Sequence, residues 1–326
     1  MHSILFKAKL LQIEKNNTGY LPTNMLPVEY LKLLVPAAGI YFREDEECEI
    51  FSQHLQVHPF SLWLHDIIAK EDIILHPYTP YHILALHYLF EDSLQSDTLT
   101  LEERECNLFN ILPGLQRISM HGGKKVLSVH INIRPEMLTS LVSKYPDLQS
   151  LAKSTLTTTC AINEQPYHIN AVCDLIIKKI LTCRYTGSLA QQFIHRCCVD
   201  LFLNFANQDA AVQQPFLFTT ILHMETYQKI FNYLLEHPHK MHSLPELAYT
   251  FNLPEEQLAH GFKQHFSISV EAFMYMLKMM LTYQLLLKSF WSLQMITEAA
   301  GFQNIGEMTS QVEAYYDCTI KSLRRD

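Results

Sequence analysis

The sequence predicts an α+β chain with a β-rich N-terminal domain over residues 1–135 and a helical connector over 136–215. An all-α C-terminal domain over 216–326 is predicted to hold two helix-turn-helix units. Three observations carry this. Hydrophobic alternation gives way to helical spacing at Arg134, a polar segment ends at Pro215, and one helix–turn–helix layout occurs twice beyond residue 240. At 326 residues, 48% hydrophobic and 18% charged, the chain has the apolar content for a sizeable core and lacks a disordered composition.

Short strand patterns cover residues 39–42, 60–64, 82–86 and 126–133, separated by turn signals at Pro59, Pro77, Pro80, Pro113-Gly114 and Gly122-Gly123. The last alternates cleanly: Leu127, Val129, Ile131 and Ile133 share one face, and Ser128, His130 and Asn132 the other. Strands of this length and spacing predict a small antiparallel barrel or sandwich.

Pro135 then opens a helix in its first turn, carried on by Leu138, Leu141 and Val142. Longer helical patterns cover 166–182 (Val172, Leu175, Ile176, Ile180) and 187–206 (Leu189, Phe193, Cys197, Leu201, Phe205). This helix pair either forms a dimer interface or caps the sheet. Residues 207–215 are the best linker candidate.

In the first repeated unit, Ser243 and Glu246 have the spacing of a capping box. Leu244, Leu247 and Ala248 face inward, a turn follows at 251–254, and a helix over 255–266 buries Leu258, Phe262 and Phe266. In the second, Ser292 precedes Leu293, Ile296 and Ala300. The turn is Gly301-Phe302, and the next helix buries Ile305, Met308, Val312 and Tyr316. A helix over 270–288, with Phe273, Leu277, Leu281 and Leu285 on one stripe, joins them as a stiff spacer. The second helix of each unit fits a major groove, and the spacer can hold the two about one duplex turn apart.

These residues resemble the DNA-binding domain of the AraC/XylS family of bacterial transcriptional regulators. The resemblance rests on residues 244–248 and 257–266 in the first unit. In the second it rests on 296–302, Met308, Val312, Tyr316 and the closing run 319–324. Residues 182–189 and Gly261-Phe262-Lys263 are similar to the subgroup containing the pyochelin-responsive regulator. The likeness covers about residues 125–326. It implies an N-terminal ligand-sensing domain, often cupin-like, followed by the helix-turn-helix pair. Double-stranded DNA, an unidentified small-molecule effector and a second copy of the chain are then the expected partners.

Candidate DNA-contacting residues are Gln257, His260, Lys263, Gln264, Lys278, Asn304, Ser310, Gln311, Arg324 and Arg325, aided by helix N-terminal amides. The sequence departs from the family in its charge. Between 223 and 326, eight Lys and Arg stand against eleven Asp and Glu, a net −3. Glu313, Ala314 and Tyr315 occupy a usually basic run, and His260 replaces a common Arg. Two accounts fit: DNA binding is retained through the remaining cations, or the fold persists as a protein-interaction or dimerisation module.

Phe42, Trp63, Tyr78, Tyr81 and Phe90 are candidate walls of a sensing cavity. His54, His58, His76, His82 and His87 lie in the β-rich region but lack the usual cupin ligand spacing, so neither a metal nor another cofactor is expected. A metal-dependent cupin oxygenase ranks below both regulatory readings. No nucleophile, acid–base pair or phosphate loop stands out, and Gly122-Gly123-Lys124-Lys125 lacks P-loop spacing, so no enzyme is expected. The eight cysteines have no metal-like spacing and read as small buried hydrophobes. The longest uncharged stretch, residues 73–90, carries three His and two Pro, and residues 1–17 lack signal-peptide features. A cytoplasmic protein without a membrane span is therefore expected.

Overall fold

A computed structural model describes residues 7–12, 26–93, 100–152, 157–212, 223–288 and 290–324. The chain forms two compact units. The N-terminal unit comprises Met1–Ile169 with Cys173–Phe202, and the C-terminal unit Asn170–Val172 with Leu203–Asp326.

The N-terminal unit is built on strands β1 (Lys7–Gln12), β2 (Gly39–Glu44), β3 (Cys48–Val57), β4 (Phe60–Ala69), β5 (Ile73–Thr79), β6 (Ile83–Glu91) and β7 (Glu105–Ile111). The short β8 (Gly114–Leu115) and β9 (Ile118–Met120) precede β10 (Lys125–Ile133), β11 (Cys160–Ala161) and β12 (Tyr167–His168). Eight of these form one antiparallel sheet in the order β11-β7-β6-β10-β4-β3-β2, with β12 also pairing β7. The other four form a smaller sheet in which β1 runs parallel to β5. That pair corrects the expectation of a purely antiparallel arrangement.

The large sheet is buried on both faces. Ile50, Ile67, Ala85, Phe109 and Val126 pack with Leu11, Ile73, Leu75 and Met120 of the smaller sheet in one apolar cluster. The opposite face meets helix α4 (Gly187–Val212), where Phe60 stacks on Phe202 at 5.5 Å and the Tyr88 hydroxyl donates to Leu201 O at 3.4 Å. Helix α3 (Ala171–Leu181) is tied to β7's approach by a bidentate Arg104–Asp174 pair. Through Phe202, then, α4 covers the sheet. The linker expected at 207–215 begins as helix up to Val212, and 213–215 lie outside the described residues. Helices α1 (Pro135–Val142) and α2 (Gln149–Ala152) follow β10.

The C-terminal unit consists of α5 (Met224–Glu236), α6 (Leu244–Thr250), α7 (Glu255–Phe266), α8 (Val270–Lys288), α9 (Leu293–Ala299), α10 (Ile305–Tyr316) and α11 (Ile320–Leu323). Phe231 of α5 stacks on Phe266 and Phe273 at 4.9 and 4.8 Å, joining three helices around one aromatic core. Two glycines set close approaches. A Cβ on Gly261 would stand 2.0 Å from the Tyr227 hydroxyl, and one on Gly301 would stand 2.3 Å from the His239 carbonyl oxygen. Gly301 also has φ +72°, where any side chain is strained. Among the described residues, no helix is long and apolar enough to cross a membrane.

Gly301→Ala should destabilise the protein by about 2–4 kcal/mol, because it meets rigid backbone and an unfavourable φ together. Gly123, also at positive φ but with open space around it, should cost only about 1 kcal/mol when changed to Ala. Thermal or urea unfolding of the two variants checks the difference.

Candidate functional site

The C-terminal unit contains one backbone layout twice. Ser243 and Ser292 each cap a seven-residue helix, accepting from Glu246 N and Met295 N respectively. The Ser243 cap is a full capping box, since the Glu246 carboxylate accepts from Ser243 N at 2.9 Å. Each first helix ends in a residue at positive φ, Asn252 (52°) and Gly301 (72°). Each turn is then closed by the same bond five residues back, Leu253 N to Ala248 O and Phe302 N to Thr297 O, both 2.9 Å. A twelve-residue helix follows and stops at a left-handed residue, Ser267 for α7 and Asp317 for α10.

The outward faces of those two helices differ. On α7, Glu256, His260 and Lys263 are exposed, with Gln257 and Gln264 half-buried beside them. Lys263 makes no ion pair among the described residues. On α10, Ile305, Gly306, Ser310 and Ala314 are exposed and none is charged, and Ile305, expected in the core, stands instead at the open first turn of that helix. Its acidic side chains are turned to local work. The Glu313 carboxylate accepts from Ile320 N at 2.8 Å, capping α11. Glu307 accepts from Gln303 N at 2.8 Å and from Gln311 Nε2 at 3.0 Å.

Several expected contact residues are engaged elsewhere. Lys278 is only 5% exposed: its ammonium donates to Gly301 O at 2.7 Å and sits 3.9 Å from the centre of the Phe302 ring. It locks the second turn and cannot reach a phosphate, and burial lowers its pKa. Asn304 is the N-cap of α10, its side chain accepting from Glu307 N at 2.9 Å. Gln311 is tied to Glu307, and Arg324 donates to Trp291 O at 2.6 Å. Gln257, His260, Lys263, Gln264 and Ser310 remain on or beside the outward faces. Arg325 lies outside the described residues.

In the N-terminal unit, the expected aromatic wall does not converge. Phe42 packs on Tyr30 at 5.6 Å, and Phe90 lies under the Arg104 guanidinium at 5.6 Å. Tyr78 is half-buried on β5. Trp63 is buried, and Tyr81 lines a cleft described below.

Strand alternation instead assembles a run of rings in which Trp63, His54 and His87, singled out separately in the sequence, are joined through His65 and His130. Tyr41–Trp63 (5.6 Å), Trp63–His54 (4.4 Å), Trp63–His65 (5.6 Å), His65–His130 (5.1 Å), His130–His87 (3.8 Å) and His87–Phe109 (6.1 Å) form a continuous chain of contacts. The register explains it, because His130 lies opposite both Trp63 and His87. Serines satisfy part of the row: Ser52 with His65 Nδ1 at 2.8 Å, Ser61 with His54 Nε2 at 3.0 Å and Ser128 with His130 Nε2 at 3.2 Å. Burial drives His65 and His87 well below the ordinary imidazole pKa, and His130 down to about 3. Among the described residues no group of three His, Cys, Asp or Glu is arranged to hold a metal.

Two cavities adjoin this row. One, lined by His87, Ser128, His130 and apolar side chains that include Phe109, offers about 30 Å³ and has room for no more than one or two waters. The other is a cleft of about 360 Å³ lined by Gln56, His58, Pro59, Ser61, Tyr81, Ile83, Asn132, Ile133, Arg134, Glu136 and Met137. The second has the size of a small-molecule site.

No protein-family model and no curated protein matches the chain. Solved structures similar to it include AraC-type DNA-binding domains and AraC-type regulators. The C-terminal domain of the response regulator yesN from Fusobacterium nucleatum is 24% identical over 30% of this chain and 96% of its own, with a TM-score of 0.29. An AraC-type transcriptional regulator from Chromobacterium violaceum is 20% identical over 31% of this chain and 90% of its own, TM-score 0.29. ToxT from Vibrio cholerae, bound to a naphthalenyl butenoic acid, is 9% identical over 81% of this chain and 98% of its own, TM-score 0.31.

The imidazole row gives a pH dependence with a definite sign. Folded His65, His87 and His130 stay neutral, whereas the unfolded imidazoles bind protons below about pH 6.5. Above that pH the groups leave stability unchanged. As pH falls toward 4.5, stability should drop by up to ~1.4 kcal/mol per pH unit for each imidazole. His130→Phe should flatten that slope, as read from urea unfolding across the range.

Proposed function

We infer that the protein is a ligand-responsive DNA-binding transcription regulator of the AraC/XylS kind, with a sensing N-terminal unit and a helix-turn-helix pair at its C-terminus. The observation that carries the reading is the doubled framework of serine cap, left-handed turn residue, matched turn-closing bond and twelve-residue helix. Apolar stripes alone make any helical domain, but this repetition displays two helices of equal length on a common plan. Between them, the nineteen residues of α8 form a rod of ~28 Å, near the rise of one duplex turn. Residues 182–189 and 261–263 support placing it in the subgroup with the pyochelin-responsive regulator. A cytoplasmic homodimer completes the reading, since paired half-sites compensate for weak single contacts.

Within this reading α7 carries the phosphate contact through Lys263, with His260, Gln257 and Gln264 beside it. The α10 face enters its groove through Ser310 and through small residues that let the backbone approach closely. Glu307 and Glu313 keep their charge, but local donors hold both carboxylates in place. Glu255 and Glu256 in the first turn of α7 remain the main repulsion.

A second reading is favoured by one observation, the uncharged outward face of α10: the pair is retained as a protein-interaction module. Fluorescence anisotropy on the duplex upstream of the protein's own coding sequence, at roughly 50 and 200 mM salt, separates the two. The regulator should bind and lose affinity steeply with salt, whereas absence of binding at both concentrations rejects it. Lys263→Gln should weaken binding and reduce the salt slope by about one. Lys278→Gln should leave that slope unchanged while lowering the unfolding midpoint.

A further inference from the structure

The cleft of about 360 Å³ in the N-terminal unit has a feature that the aromatic candidates did not anticipate: it carries one unpaired charge of each sign. Arg134 stands where β10 hands over to α1, and its backbone carbonyl accepts the first bonds of that helix from Met137 N and Leu138 N. Its guanidinium lies over the Tyr81 ring at 4.2 Å. This cation–π contact holds the guanidinium while leaving its N–H donors unused among the described residues, and a guanidinium so held can grip a carboxylate with two parallel bonds. Among the described residues Arg134 makes no ion pair. Neither does Glu136, two residues on and also lining the cleft, so the same cleft is lined by a guanidinium and a carboxylate.

The rest of the lining sorts by polarity. Ser61 and Asn132, both at least 95% buried, bring hydroxyl and amide groups to the inner end, next to the imidazole row through the Ser61–His54 bond. Ile83, Met137 and the Tyr81 ring supply apolar surface. An inorganic anion or a simple organic acid would satisfy Arg134 but leave Glu136 repelling it. An apolar molecule would satisfy neither charge. A molecule with a carboxylate and an ammonium a few ångströms apart satisfies both, with its side chain on the apolar wall.

We propose that this cleft is the effector site and that its ligand is a free α-amino acid, the carboxylate held by Arg134 and the ammonium by Glu136. The proposal rests on reading the N-terminal unit as a sensor. Its test involves no DNA, so a failed duplex titration and a failed ligand titration remain separate results.

The full-length protein is titrated by calorimetry and by thermal unfolding with each standard amino acid at up to about 10 mM. At least one should raise the unfolding midpoint, and Arg134→Gln and Glu136→Gln should each weaken its binding about tenfold or more. Both side chains are at exposed positions, so ligand-free unfolding of each variant shows that the fold is kept. The hydroxy acid that replaces the ammonium with a hydroxyl should bind less tightly than the matching amino acid. The proposal is overturned if no amino acid shifts the midpoint, if the hydroxy acid binds equally well, or if both variants bind like the parent.

Discussion

Burial of both faces of the eight-stranded sheet is the constraint from which the N-terminal unit follows. A sheet with one wet face can place its polar alternates in water, whereas this one packs the smaller sheet on one side and α4 on the other. Polar residues at alternate positions of β3, β4, β6 and β10 therefore end inside, where they must find partners within the sheet. They do so as a row of imidazoles, an indole and serines in ring contact and hydrogen bond. The cost is paid in proton affinity, since none of the central rings can take a charge at neutral pH.

The C-terminal unit obeys a different constraint, the satisfaction of helix ends. Short helices of seven residues have few internal bonds, so caps and left-handed stops decide where they begin and end. This accounts for the fate of its charged side chains. Glu246, Glu307, Glu313 and Lys278 all hold backbone groups at turns or helix ends. The two outward faces therefore differ in charge: α7 exposes Glu255, Glu256 and Lys263, whereas the fully exposed positions of α10 carry none.

Much of this was legible in the sequence. The change of period at Arg134, the capping box at Ser243 and the boundaries of α7 and α8 follow from local rules, and local rules suffice where a cap or a proline settles the matter. Lys278 was misread because its burial is decided by Phe302, a residue twenty-four positions away that no local pattern links to it. The histidine row is visible as alternation on β10, but its assembly needs the register of four strands, β3, β4, β10 and β6. Arg134 reads in the sequence only as the boundary between strand and helix, because its approach to Tyr81 comes from the return of the chain in space. Phe42 and Phe90 were grouped with Trp63 by residue type, although their strand positions send them to other surfaces.

The Tyr227 hydroxyl occupies the space that a side chain on residue 261 would need, while also donating to Gln257 O at 3.2 Å. Positions 227 and 261 are therefore not free to drift independently. In descendants of this chain, a larger residue at 261 would be tolerated only after the ring at 227 had been traded for something shorter, and the Gln257 bond would be surrendered in the same exchange. Coupled change at this pair is the mark that common ancestry should leave on the α5–α7 contact.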